Sequence, residues 1–201
     1  MRGNLLRSLQ DARPATAEML IGGRSSLVVV APHPDDETLG CGATLSEASR
    51  IGLDCSVICV TDGSRSHPAS RDWPAARLAE ERRRELLAAV GRLAPGAEVH
   101  WLGHPDCAAP EGEDAARQIG ALIPRDALVL GPWIQDPHID HERTAQLLRL
   151  LGSERLDLRF LDYPIWGRFR EDGEVPADIW TLLARDAEGV KRAALTLTAA
   201  A

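Results

Sequence analysis

Lysine is almost missing from this chain: Lys191 is the only one in 201 residues, and arginine supplies the rest of the 23 basic side chains. Against 30 acidic residues this leaves a formal net charge of −7, with no excess of cations to neutralise phosphates, which argues against a general nucleic-acid binder. No run of 18 apolar residues occurs, and Met1 to Ile21 is broken by charges and by Pro14. Neither a membrane span nor a secretory signal is therefore expected, and the default compartment is the cytoplasm. The four cysteines, Cys41, Cys55, Cys59 and Cys107, form no CxxC pair and no regular framework, so reduced thiols are expected. Cys55 and Cys59 would share one face of a strand as small core residues.

What is present fits one folded domain over residues 1–201. Hydrophobic residues make up 44% and charged ones 26%, the balance of a globular protein and not of a disordered one. A chain of this length buries roughly 70% of the surface its unfolded form exposes, so it needs no staples.

Ser26 to Leu45 organises the rest. The apolar run Leu27 to Ala31 reads as a buried strand. It breaks at Pro32-His33-Pro34 and delivers Asp35, Asp36 and Glu37 together, before Gly40 and Gly42 lead into a helix over Leu39 to Ile51. Further strands are expected over Leu53 to Val60, Val99 to Leu102, Ala127 to Leu130 and Leu156 to Tyr163. Helices are expected over Ala75 to Leu93, with Leu78, Leu86, Leu87, Val90 and Leu93 on one face, over Asp114 to Ile123, and over Ile139 to Leu151. Residues 1–24 read as a peripheral amphipathic lead-in of one or two short helices, and Asp178 to Leu197 as a strand, a turn and a helix. Alternating strands and helices predict an α/β fold, a Rossmann-like three-layer αβα sandwich with a mostly parallel sheet. Such sheets bind ligands beyond the carboxyl ends of their strands.

Four loops at those ends carry the polar chemistry: HPDDE at 33–37, TDGSR at 61–65, HPD at 104–106 and DPHIDH at 136–141. Imidazole nitrogens mixed with carboxylate oxygens suit Zn²⁺, which at catalytic sites takes three protein ligands and leaves a fourth position open. His33 and Asp36, three apart in a tight turn, can face one ion with Asp35 beside it. His138 and His141 are also three apart, and only one need ligate. Either cluster alone is as well explained by a helix cap or a surface histidine; the two together, each after an expected strand, favour a metal.

The block APHPDDETLGCGATL, with TDG at 61–63, RRREL at 82–86 and HIDH at 138–141, resembles the LmbE-like / PIG-L family of zinc-dependent N-acetylglucosaminyl deacetylases, in the right order over roughly residues 26–165. That resemblance implies His33, Asp36 and His141 as ligands of Zn²⁺ or another divalent metal. It implies Asp35 as the general base, His138 as the group that stabilises the oxyanion or protonates the leaving amine, and Asp140 as a residue that orients or tunes its neighbour. Arg82 corresponds to an arginine near the substrate, with a solvated helix charge as the competing reading. Asp106 corresponds to an acid on a sugar hydroxyl, with a turn aspartate as its competitor. Glu37 reads as a helix-start charge or a partner behind the ligands. Arg65, His67, Trp73 and Trp133 are expected to border the cleft. The implied substrate is a small N-acyl amino-sugar conjugate; oligomeric state is not implied.

Three features depart from the family pattern. Pro32 stands where a small residue is usual, Asp136-Pro137 replaces a segment that carries a tyrosine in some relatives, and the chain after Lys191-Arg192 runs out as LTLTAAA. From the last of these, the C-terminal edge of the pocket is expected to be shortened, altered or supplied by another subunit. The alternative to an enzyme is a non-catalytic domain of the same fold that binds a sugar conjugate or a partner. A magnesium phosphotransfer site would want a lysine near the carboxylates, and a dinucleotide fingerprint at Gly40-Cys41-Gly42 lacks its third glycine.

Overall fold

A computed structural model describes residues 5–8, 12–67, 70–169, 178–186 and 189–194. Its centre is a five-stranded parallel sheet of β2 (Ser26–Ala31), β3 (Asp54–Thr61), β4 (Glu98–His104), β5 (Ala127–Pro132) and β6 (Arg159–Tyr163). The spatial order is β4-β3-β2-β5-β6. The chain winds outward in one direction from β2 through β3 and β4, then returns to the other side of β2 for β5 and β6. The order therefore reverses between β2 and β5, where an open α/β sheet leaves a crevice beyond its strand ends.

Alternation along the strands explains the three layers. Leu27, Val29, Val57, Cys59, Leu128 and Leu130 face one side, against Cys41, Leu45 and Ala48 of α3 (Asp36–Arg50) and Leu86 and Val90 of α4 (Ala75–Leu93). Val28, Val30, Ile58, Val60 and Val129 face the other, against Ala116 and Ile119 of α5 (Gly112–Ala121) and Leu147 and Leu151 of α6 (Ile139–Glu154). β2 is buried along its whole length, as a strand covered on both faces must be. Cys55 packs at the edge of the same core as Cys59, on the face their spacing predicts.

Three expectations are corrected. The lead-in is not only helical: besides α1 (Leu5–Ser8) and α2 (Ala17–Ile21) it holds β1 (Arg13–Ala15), and Ala15, Leu20 and Ile21 enter the main core. β1 pairs with β7 (Trp180–Asp186), which pairs antiparallel with β8 (Gly189–Ala194), so the segment read as a terminal helix is the second strand of a hairpin. Residues 195–197 of that expectation lie outside the described residues. Leu87 is 47% exposed and does not share the buried stripe of Leu78, Leu86 and Val90.

One glycine is fixed by packing. A Cβ on Gly40 would lie 2.3 Å from the ring of Tyr163, which is fully buried and donates its hydroxyl to the Val30 carbonyl at 2.9 Å. α3 can lie against the end of β6 only because residue 40 has no side chain.

Candidate metal centre

The segments after β2 and β5 lie side by side because those strands are neighbours in register, Ser26 opposite Ala127 and Val29 opposite Leu130. This brings His33 and Asp36 against His141 across more than a hundred residues of chain. His33 Nδ1 lies 3.2 Å from His141 Nε2 and 3.3 Å from Asp36 Oδ2, and His141 Nε2 lies 3.2 Å from Asp36 Oδ2. Ligand atoms at zinc's usual 2.0–2.2 Å in a tetrahedral arrangement stand about 3.3 Å apart, so these three atoms have the spacing of one face of such a site. Donor atoms of His33, His138 and His141, and of His33, Asp106, His138 and Asp140, also fall within 4.8 Å of one another, a looser set.

Each of the two histidines in the tight triangle has a carboxylate on its other nitrogen. Asp140, fully buried, lies 3.1 Å from His33 Nε2 and accepts from the Cys107 and Ala109 amides at 2.7 and 2.9 Å. Asp136 lies 2.9 Å from His141 Nδ1, accepts from the Ile165 amide at 2.8 Å, and also accepts from Gly167 N. Such outer carboxylates fix the ring orientation and raise ligand basicity. Asp136 drew no attention in the sequence beyond its place before Pro137. The signal that could have found it is an acid five residues before a histidine that opens a helix.

Without a cation the cluster holds protons strongly. Burial alone would lower His33, but hydrogen bonds to Asp106, Asp140 and Asp36 overcome it and raise the imidazole to about 11. Burial likewise opposes His141, while Asp136 and Asp36 raise it to about 9. Asp36, which burial would push up, is held far below the usual carboxylate range by His141 and His33. A cluster whose carboxylates hold protons on the two imidazoles this firmly is one where a divalent cation can replace those protons.

Asp35 is held in an unusual backbone conformation at the start of α3, with φ 134° and ψ −24°, outside the regions open to ordinary L-residues. Two contacts hold it there. Its amide donates to Glu37 Oε2 at 2.9 Å, and its carboxylate accepts from Arg82 Nη2 at 2.7 Å, while the same guanidinium nitrogen also donates to the Pro34 carbonyl. Glu37, wholly buried, is thus a backbone anchor behind the cluster. Burial and the neighbouring Asp36 charge raise the Asp35 carboxyl, and Arg82 draws it part of the way back. Arg82 reaches the Asp35 carboxylate from α4 at 2.7 Å, so its guanidinium is an ion-pair partner of Asp35.

His138 is the N-cap of α6, and its Nδ1 accepts the Asp140 amide at 3.2 Å. Burial, then the charges of His33 and His141, lower its pKa, so the ring is neutral, and with Nδ1 accepting the proton is assigned to Nε2. Asp106 is buried, accepts from the Arg65 amide at 2.9 Å and stands 3.6 Å from His33 Nε2. The Asp62 carboxylate accepts from the Ser64 and Asp106 amides at 2.9 and 3.0 Å, which ties the loop after β3 to the loop after β4.

These residues open on a cleft of about 230 Å³ bordered by His33, Asp35, Asp36, Arg82, Asp106 and His138. Arg65 borders it as expected, and so does Trp166, which the sequence reading did not single out. Trp133 does not: it is buried against Leu5 and Ile179. A larger cavity of about 710 Å³, lined by Arg13, Arg24, Arg149 and Arg159, lies near β6 and contains none of the cluster.

Fold and site together define an α/β protein with a carboxylate–imidazole cluster that could hold a metal ion, at the switch point of its sheet. The chain belongs to the PIG-L family: the family described as GlcNAc-PI de-N-acetylase matches residues 28–151, more than half of the sequence. It is 25% identical over 130 residues to a diacetylchitobiose deacetylase of Thermococcus kodakarensis, 60% of this chain and 46% of that protein. It is 34% identical over 83 residues to the 1D-myo-inositol 2-acetamido-2-deoxy-alpha-D-glucopyranoside deacetylase 2 of Saccharopolyspora erythraea, 39% of this chain and 30% of that one. Among solved structures it resembles the N,N'-diacetylchitobiose deacetylase of Pyrococcus horikoshii with a TM-score of 0.61 and 25% identity, over 75% of this chain and 56% of that one. The matches thus span about half or less of the curated relatives' lengths.

Proposed function

We propose that the protein is a metal-dependent hydrolase that removes an N-acetyl or other N-acyl group from an amino-sugar derivative, with Zn²⁺ as the preferred cation. The observation that carries this reading is the triangle of His33 Nδ1, Asp36 Oδ2 and His141 Nε2 at 3.2–3.3 Å, with Asp35 and His138 on the same cleft. Family membership and the deacetylase relatives support the choice of reaction.

His33, Asp36 and His141 would hold the ion. When bound, a divalent cation supplies Lewis acidity that polarises an amide carbonyl and acidifies water. Asp35, its pKa raised by burial, accepts a proton from the attacking water. The water oxygen adds to the acyl carbon, and the developing oxyanion receives a hydrogen bond from His138 Nε2–H, the kind of placed donor that contributes ~3–4 kcal/mol. The C–N bond then breaks as the proton held by Asp35 passes to the leaving nitrogen, so the products are a carboxylate and a free amine. Asp140 and Asp136 keep the two ligating rings aimed, and Arg82 keeps Asp35 at the cleft.

The test is acetate release from a panel of N-acetylglucosaminides by zinc-loaded protein, with chelator abolishing it and zinc restoring it. An Asp35→Asn variant as active as the parent would instead favour a binding domain of the same fold.

A further inference from the structure

The cavity of about 710 Å³ beside β6 is set apart from the cleft, and the two share no lining residue. Four arginines reach it from four parts of the chain: Arg13 from β1, Arg24 from the turn after α2, Arg149 from α6 and Arg159 from β6. Among the described residues the lining holds a single carboxylate, Asp178. Two of the four cations are balanced from outside the lining, Arg24 by Asp126 at 2.6 Å and Arg149 more distantly by Asp162 at 3.5 Å. Arg13 and Arg159 have no carboxylate within ion-pair distance among the described residues. Arg13 Cζ lies 5.8 Å from the ring centroid of Trp180, its register partner on β7, and Arg159 donates from Nη1 to the Leu20 carbonyl at 2.9 Å.

These guanidinium groups are held in place with donors to spare. Arg24 and Arg159 each use Nη1 alone on the protein, and their Nε and Nη2 find no partner among the described residues. A Cβ on Gly22 would stand 2.6 Å from Arg159 Nη1, so the Arg159 side chain passes closely over a residue that has none. Like charges gathered around a concavity repel one another, and an anion placed between them relieves that repulsion. The gathering is local, since the net charge of −7 leaves no general surplus of cations. Guanidinium forks match the oxygens of a phosphate two at a time. The rest of the wall is apolar, with Leu148, Leu158, Phe160 and Trp180. A bare phosphate would fill little of this volume, which lies in the range of pockets for organic ligands, about 300–1,000 Å³.

We infer that this cavity is a binding site for an organic phosphate, a ligand with a diphosphate or similarly charged head and an apolar body. The head pairs with Arg13 and Arg159, the two cations without a carboxylate of their own, and the body lies along the apolar wall. The site is separate from the metal cluster, and the inference holds whether or not the cleft hydrolyses amides.

The test is calorimetric binding to the full zinc-loaded chain at low ionic strength, with ADP, geranyl diphosphate, adenosine and pyrophosphate as probes. ADP and geranyl diphosphate share the charged head and differ in body, so the tighter of the two tells whether the wall takes a flat base or an aliphatic chain. That probe should bind about tenfold more tightly than pyrophosphate, which has no body, and about a hundredfold more tightly than adenosine, which has no charge. Arg13→Gln and Arg159→Gln should each weaken it by about tenfold, with zinc content the same as in the parent. Arg13 is exposed on the edge strand of its sheet, so its variant loses no buried contact. Neither diphosphate binding more tightly than pyrophosphate, or an affinity unchanged in both variants, would overturn the site. An affinity lost only together with zinc would place the anion on the metal and overturn it as well.

Discussion

Asp136 Oδ2 stands 2.9 Å from His141 Nδ1 while the same carboxylate accepts the amides of Ile165 and Gly167. One buried side chain therefore orients the His141 ring and fixes the turn over Trp166–Phe169, whose Trp166 borders the cleft. Asp140 does the corresponding work for His33 from the opening turn of α6, with two amides of the loop after β4 holding it in place. Asp136→Asn and Asp140→Asn should each weaken cation binding by about 10–100-fold, the usual effect of losing an outer carboxylate. Competition with a chelator measures this, and saturating zinc should recover much of the activity. Unchanged affinity in both variants would show that the rings need no such support.

Proton linkage gives a second prediction. In the cation-free protein His33 and His141 titrate near 11 and 9, above free histidine at about 6.5. A histidine raised on folding contributes stability that is complete below its unfolded pKa and is lost as pH rises through its folded one. Chelated protein should therefore lose melting temperature as pH climbs from about 6.5 through 9 toward 11, and zinc-loaded protein should lose less. At pH 7, uptake of one cation should expel about two protons, read by calorimetry in buffers of different ionisation enthalpy. Uptake without proton release would contradict the assignment of these rings.

Backbone strain at Asp35 gives a third. At φ 134° a glycine is unstrained and an alanine is not, so Asp35→Gly should be more stable than Asp35→Ala by about 1–2 kcal/mol. Both should bind zinc and both should lose turnover by orders of magnitude. Equal melting temperatures would show that Glu37 and Arg82 hold no strain there.

Gly40 gives a fourth. Alanine is ordinarily the better helix former by about 1 kcal/mol. Here its Cβ meets the Tyr163 ring at 2.3 Å, and Gly40→Ala should instead destabilise by about 1–3 kcal/mol in denaturant unfolding. A stabilised variant would show that α3 shifts without cost.

The sheet was legible because its strands are short apolar runs punctuated by proline, glycine and aspartate. α4 was legible for a different reason: Leu78, Leu86 and Val90 repeat at helical spacing. β1 was not, since Arg13-Pro14-Ala15 has no strand pattern and is extended only because β7, far along the chain, offers it a parallel edge. Within the site, His33, Asp36, His138 and His141 stood out because their residue types are rare together. The partner of Asp140 could not be read, because its carboxylate turns to His33 in another loop, a contact set by the adjacency of β2 and β5. Glu37 reads from the sequence as a partner behind the ligands, but its hold on the Asp35 amide does not, and neither do the amides Asp136 binds beside His141, because backbone amides carry no residue identity.

The most direct test is metal content with affinity in the parent chain and in His33→Ala, Asp36→Ala and His141→Ala, measured by elemental analysis and chelator competition. One zinc per parent chain, with that ion lost from all three variants and kept by Asp35→Ala, is the expected result. Full zinc retained by any two of the three would contradict the centre described above.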